Sequence, residues 1–192
     1  METKYLSVAE TAKLIRGRLK EAFPGQKFYV QSETYSGGGS VDVYWMDGPT
    51  EKDVEAEVGI FAGRSFDGMI DLAYSHTCWM LPDGTVQRAR SSGSAGSGGV
   101  DPGYDYPQPH PEAQRVHFGA NYVFCRRAYS RGLLDRVVEE MGREWPGIEP
   151  PELYETSWFV GGKEKGRRWD FSHRERWEDT RLFCDLVYQT AA

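Results

Sequence analysis

Apolar residues recur along this chain in two rhythms, steps of three and four and steps of two, and the switches between them mark out its elements. Ala12, Ile15, Leu19, Ala22 and Phe23 keep helical steps, with Lys13, Arg16, Lys20 and Glu21 on the other side. Ahead of them Ser7-Val8-Ala9-Glu10 is a capping box: the serine hydroxyl accepts from the amide three residues on, and the glutamate reaches back to the serine amide. Pro24-Gly25 stops this helix. Lys27 to Tyr35 and Ser40 to Met46 then read as strands about a turn at Ser36-Gly37-Gly38-Gly39. Val41, Val43 and Trp45 alternate with Asp42 and Tyr44, which predicts one buried face. Asp47-Gly48-Pro49-Thr50 breaks the strand. Thr50 with Asp53 starts a second helix that carries Val54, Val58 and Phe61 inward and ends at Gly63.

Met69 to Leu81 and Thr85 to Arg90 form a strand pair about Pro82-Asp83-Gly84. From Ser91 to Gly99 the composition collapses to serine, glycine and alanine, and Asp101 to Pro111 is rich in proline and tyrosine. Residues 91–111 are therefore expected to form a flexible internal loop, the only candidate boundary in a single domain spanning 1–192. Beyond it Val116, Phe118, Ala120, Tyr122 and Phe124 alternate as one strand. Leu134, Val137, Val138 and Met141 form a helix ended by Trp145 and Pro146-Gly147. A strand from Leu153 to Val160 turns at Gly161-Gly162, and Leu182, Phe183, Leu186 and Val187 form a last helix that starts near Glu178 and Asp179. The order αββαββ-loop-βαβ(β)α predicts an α+β fold, a largely antiparallel sheet of hairpins with helices packed on it.

Composition adds the means to build a core: 39% of residues are hydrophobic and 14% aromatic. No apolar run approaches the roughly 20 residues that cross a bilayer, and Met1-Glu2-Thr3-Lys4 opens into a polar amphipathic segment. The expectation is a cytoplasmic protein with no membrane partner. Three cysteines, Cys78, Cys125 and Cys184, lie far apart in hydrophobic segments and read as buried thiols. A net charge of -6 argues against gripping nucleic acid through general electrostatics, and it is too mild for a mimic of DNA.

Candidate chemistry is sparse. Ser36-Gly37-Gly38-Gly39-Ser40 joins two strands and has no lysine after it, so it reads as a hairpin turn and not a phosphate cradle. His76 and Cys78 would share a strand face, but no second pair completes a metal tetrahedron, so neither metal nor cofactor is expected. The cysteines lack a nucleophile signature. Asp42, Asp67 and Asp71 would suit magnesium or acid-base work if their strands were neighbours. Asp42, Asp71 and His76 are thus the catalytic candidates. The stretch from Lys163 to Trp177 interleaves cations with Trp169, Phe171 and Trp177, a composition that meets phosphates and stacks bases. With Tyr104 and Tyr106 of the proline-rich segment, it supplies the partner-binding candidates Arg167, Arg168, Trp169 and Trp177.

Several phrases carry a family resemblance: Ser7-Val8-Ala9-Glu10-Thr11-Ala12-Lys13-Leu14-Ile15-Arg16, Phe23-Pro24-Gly25, Tyr35-Ser36-Gly37-Gly38-Gly39-Ser40-Val41-Asp42-Val43, Trp45-Met46-Asp47-Gly48-Pro49-Thr50, Phe66-Asp67-Gly68-Met69-Ile70-Asp71 and His117-Phe118-Gly119-Ala120-Asn121-Tyr122. Over roughly the first two-thirds of the chain they resemble the large polyvalent protein-associated domain family numbered twenty-nine. The part from about Pro150 resembles no family. The resemblance implies a protein of phages or conjugative elements, plasmids included, that helps incoming DNA establish itself against host defences. It carries over no catalytic residue. The expected function is a non-enzymatic, anti-defence binding protein in the host cytoplasm, which inhibits a host CRISPR or restriction complex by occupying its surface. The alternative is an enzyme acting on nucleic acid or nucleotide in the same setting. A third reading is direct nucleic-acid binding through the basic stretch.

Overall fold

The computed structural model describes residues 2–67, 71–90, 105–172 and 177–190. Its elements run β1 (Lys4–Leu6), α1 (Val8–Ala22), β2 (Tyr29–Tyr35), β3 (Gly38–Met46), α2 (Glu51–Val58) with a 3-10 turn at Gly59–Phe61, β4 (Arg64–Asp67) and β5 (Leu72–Ser75). They continue with β6 (Thr77–Met80), β7 (Val86–Arg90), β8 (Gln114–Phe118), β9 (Tyr122–Ala128), α3 (Arg131–Glu144), β10 (Leu153–Val160), β11 (Lys163–Phe171) and α4 (Trp177–Gln189). The strands make small sheets of order β1-β8-β6-β7, β2-β3-β9, β4-β5 and β10-β11. The fold is α+β and mostly antiparallel, as the hairpin-rich sequence predicts; β1 and β8 are a parallel pair. The chain divides into two compact units, one of Met1–Ala22, Val30–Val43 and Ala56–Phe124, the other of Phe23–Tyr29, Tyr44–Glu55 and Cys125–Ala192.

In the first unit, α1 begins where its capping box places it. The Ser7 amide donates to the Glu10 carboxylate at 2.8 Å, and the Glu10 amide donates to the Ser7 hydroxyl at 3.2 Å. Ala12, Ile15 and Leu19 are buried along one stripe. A knot of backbone hydrogen bonds gathers the glycine phrases. The Asn121 amide donates to the Gly39 carbonyl and the Gly63 amide to the Ala120 carbonyl, both at 2.7 Å; the Asn121 side chain donates to the Gly37 carbonyl at 3.3 Å. A Cβ on Gly38 would run into the Asn121 side chain, and one on Gly63 into the Phe118 carbonyl. Glycine is needed at 63 because another backbone lies where a side chain would be, and at 38 because the Asn121 amide fills that space.

The knot also corrects the sequence reading. The turn expected over residues 36–39 shrinks to Ser36 and Gly37, because β3 starts at Gly38. One strand was expected from Met69 to Leu81; β5 and β6 lie there instead, parted at His76, whose amide turns aside to donate to the Gly63 carbonyl at 2.7 Å. Another strand was expected from Val116 to Phe124. It is broken at Gly119-Ala120-Asn121, and its halves β8 and β9 join different sheets. Alternation persists across each break, so the pattern does not reveal it. The expected loop over 91–111 falls in large part outside the described residues, as does Tyr104. Its end is tied down: Asp105 bridges Arg90, and the Tyr106 amide donates to the Ala89 carbonyl at 2.9 Å.

The second unit is organised by a corner and one cation. Asp47 and Gly48 both take positive φ, 53° and 62°, and each neighbour along Trp45–Thr50 has a task. The Trp45 indole donates to the Pro49 carbonyl at 2.9 Å, the Asp47 carboxylate accepts from the Ser130 amide at 2.8 Å, and Thr50 caps α2 through Asp53. Arg127, only 6% exposed, donates to the Asp47, Gly48, Val187 and Thr190 carbonyls at 3.1, 2.9, 3.3 and 2.8 Å. Two of those carbonyls belong to the end of α4, where a cation meets the negative pole of the helix and its unpaired carbonyls. Leu133, Leu134, Val137, Met141, Phe171, Phe183 and Val187 form the neighbouring core.

Two substitutions test this account. Ser7→Ala should cost about 1 kcal/mol in a chemical melt, the usual worth of a cap. Arg127→Met should cost more, about 3 kcal/mol, because it strands several buried carbonyls at once. A melt of Arg127→Met within error of the parent would show that the cation is not a keystone.

Candidate functional site

The cationic candidates lie on the β10–β11 hairpin, whose turn residues Gly161 and Gly162 take φ values of 58° and 71°. The register slips between Trp158 and Phe159, which leaves Lys165 bulged out of the ladder. Lys165 places its ammonium 5.1 Å from the Tyr29 ring centroid, and Lys27 does the same at 5.1 Å. Tyr29 in turn makes a T-shaped pair with Trp158, ring centroids 5.5 Å apart. Two ammonium groups over one tyrosine ring, itself packed against an indole, gather positive charge on an aromatic cluster.

Elsewhere on the hairpin Lys163 and Arg167 are exposed, as are the apolar rings of Tyr154 and Phe159; the register sets Arg167 and Phe159 on the side opposite Trp158. The Arg167 guanidinium is steadied by the Ser157 hydroxyl, to which it donates at 2.8 Å. Arg168 and Trp169 are less available than their sequence positions suggest. Arg168 pairs with Asp170 at 3.3 Å, and its Nε is buried. Trp169 packs against the core beneath Arg131, whose guanidinium lies 4.6 Å from the ring, and its amide donates to the Tyr129 carbonyl. Trp177 is the first residue of α4. Tyr106 belongs to the first unit, where its carbonyl accepts from the Trp79 indole at 3.2 Å. Sequence reasoning missed Lys27, Tyr29 and Trp158, which lie far apart in the chain and meet only because the strands pair; no local signal could have joined them.

The catalytic candidates sit in separate elements. Asp42 is in β3, Asp71 sits exposed in the β4–β5 turn with φ 52°, and His76 lies between β5 and β6. Among the described residues no group of three or more His, Cys, Asp or Glu could hold a metal. Of the three cysteines only Cys78 is fully buried, a correction to the expected set of buried thiols; Cys125 and Cys184 lie in strand and helix surfaces that are half covered. None is an activated thiolate. Burial pushes all three pKa values up, that of Cys125 to about 12 with help from Glu55 and Glu51.

His76 is the exception worth following. It is 7% exposed, its Nε2 lies 2.7 Å from the Ser65 hydroxyl, and its carbonyl meets His117 Nδ1 at 2.8 Å. Burial, then the charge of Arg88, then His117 lower its pKa to about 4, so the ring is neutral near pH 7. Its Nδ1 and the Nη1 of Arg88 are both buried and have no partner among the described residues.

Residues 6–130 match the family described as large polyvalent protein associated domain 29, which is well over half of the chain. The chain belongs to that family. No curated protein and no solved structure matches it. Membership in the large polyvalent protein associated domain 29 family associates the chain with proteins of phages and other mobile elements. The match ends at the Ser130 cap of α3, so the β10–β11 hairpin lies beyond the family domain, whereas Tyr29, Ser65, His76 and Arg88 lie within it. Among the described residues no helix is long and apolar enough to cross a membrane.

The histidine makes stability depend on pH. The unfolded ring takes a proton near 6.5 and the folded one only near 4, so between those values the unfolded state binds more protons. The contribution of His76 is complete above about pH 6.5 and is lost as pH falls toward 4, in total about 3 kcal/mol at one pKa unit per 1.4 kcal/mol. Chemical melts from pH 4 to 7 should lose that part of their slope in His76→Gln; an unchanged slope would place the titration elsewhere.

Proposed function

We propose that the chain is a non-enzymatic binding protein that a phage or conjugative element uses against host defence, covering the working surface of a CRISPR or restriction complex in the host cytoplasm. The observation that carries this reading is the cluster of Lys27 and Lys165 on Tyr29, on a hairpin that also exposes Arg167 and the ring of Phe159 on its other side. A chain with a net charge of -6 concentrates cations and aromatic rings on and around one hairpin, and arginine and aromatic side chains dominate the energetics of protein interfaces. Such a surface fits an acidic protein surface or the path a nucleic acid follows through a defence complex. Family membership supports the setting.

The enzyme reading rests on one contact, the 2.7 Å pair of Ser65 and His76, which has the reach of a nucleophile and its base. It ranks second because His76 Nδ1 meets no orienting group among the described residues and its low pKa makes it a poor acceptor of protons. Direct binding of nucleic acid through the hairpin uses the same residues as the first reading, and free duplex or single-stranded DNA as competitor separates the two.

A blocker is consumed by binding, whereas an enzyme turns over. Once affinity capture and mass spectrometry have identified the complex, inhibition should saturate at a fixed molar ratio. Lys163→Glu, Lys165→Glu and Arg167→Glu together should weaken it at least about tenfold, or 1.4 kcal/mol, with the melt unchanged. Irreversible inactivation at substoichiometric amounts, lost in Ser65→Ala, would replace occupancy with catalysis.

A further inference from the structure

Away from the hairpin, the first unit contains a polar site that the proposed function does not use. The antiparallel pairing of β6 and β7 sets Cys78 opposite Arg88 and also opposite Val116 of β8. Two residues before Cys78 the chain turns at His76, and Ser65 of β4 closes on the imidazole from the other hairpin. Where the Ser65 hydroxyl donates to Nε2, the neutral ring carries its proton on Nδ1. That Nδ1 is then a buried donor without an acceptor, and the Nη1 of Arg88 is a second. Folded proteins rarely leave one such donor unmet, and a guanidinium can only donate.

We propose that Arg88 and the Nδ1 edge of His76 form a binding site for a small oxyanion, a phosphate or a carboxylate, that accepts from both. The two unpartnered donors and the charge of Arg88 define the ligand class: it must accept hydrogen bonds and carry negative charge. Among the described residues no carboxylate is ion-paired with Arg88. Burial raises the Cys78 thiol against the charge and hydrogen bond of Arg88, so the sulfur offers Arg88 a neutral contact and no negative charge, and His117 turns its Nδ1 to the His76 carbonyl. The depressed pKa of His76 reports a positive local field, since Arg88 and His117 both act in that direction after burial. His76 is deeply buried, and Ser65 and Arg88 are half-buried, so the site would take a small ion and not a polymer backbone.

The test is a titration of the intact chain with inorganic phosphate and, separately, with acetate, at pH 7 and constant ionic strength set by chloride. The imidazole resonances of His76 are followed by NMR, with exposed His110 as the internal control. A saturable shift at His76 and not at His110 is expected with at least one of the two probes, together with a rise of the His76 pKa. Arg88→Gln should weaken apparent binding at least tenfold, and Ser65→Ala should weaken it less. If Arg88→Gln does not fold, the pKa rise in the parent chain decides, because an anion beside the ring must favour the imidazolium. The proposal is overturned if neither probe gives a saturable shift, if chloride gives the same one (an adventitious ion only), or if folded Arg88→Gln binds as the parent does.

Discussion

A guanidinium removed from water must have its donors met, and how Arg127 meets them sets the second compact unit. Its partners are main-chain carbonyls of the Asp47-Gly48 corner and of the end of α4, segments more than a hundred residues apart in the chain. Burial lowers the Arg127 pKa, while Tyr129, Asp47, Glu51 and Asp53 act in the opposite direction, so the group stays charged. Carbonyl dipoles spread that charge without the geometry of a single ion pair, and the helix end they belong to is one whose own pole wants a cation. Glu51 adds a contact at the strand itself, accepting from the Arg127 amide at 3.0 Å.

From that centre the ordering spreads along the chain. Asp47 accepts from the Ser130 amide, and the Ser130 hydroxyl accepts from Leu133 to cap α3. Tyr129 lies under the Arg127 guanidinium at 5.5 Å, and its carbonyl accepts from Trp169 of β11. The hairpin that holds the cationic face is thus joined by hydrogen bonding to the segment Arg127 holds. A surface held this way loses less entropy when anything docks on it.

The phrases shared with the family mostly build structure. Trp45 to Thr50 is a corner in which an indole, a carboxylate, a positive-φ glycine and a cap each satisfy a backbone group. The glycines around Gly39 and the Gly119-Ala120-Asn121 break form a knot that only small residues permit. The candidate chemistry stands apart from these phrases: His76 and Arg88 line the polar site of the first unit, and the hairpin cations lie past the end of the family match.

Much of the fold could be read from local rules. The boxes Ser7–Glu10 and Thr50–Asp53, the Gly161-Gly162 turn and the periodicities of α1, α3 and α4 are contests settled within a few residues, and there the sequence by itself determined the outcome. Whether Val116 to Phe124 makes one strand or two, where the chain bends at His76, and how deep Cys125 and Trp169 lie depended on carbonyls and side chains delivered from distant segments. The sites followed the same division. Arg167 could be named from its basic surroundings, but Lys27 and Lys165 flanking Tyr29, and Ser65 and Arg88 near His76, became neighbours only when strands paired. Hydrophobic periodicity reports which way a residue faces, and only tertiary structure decides what it faces.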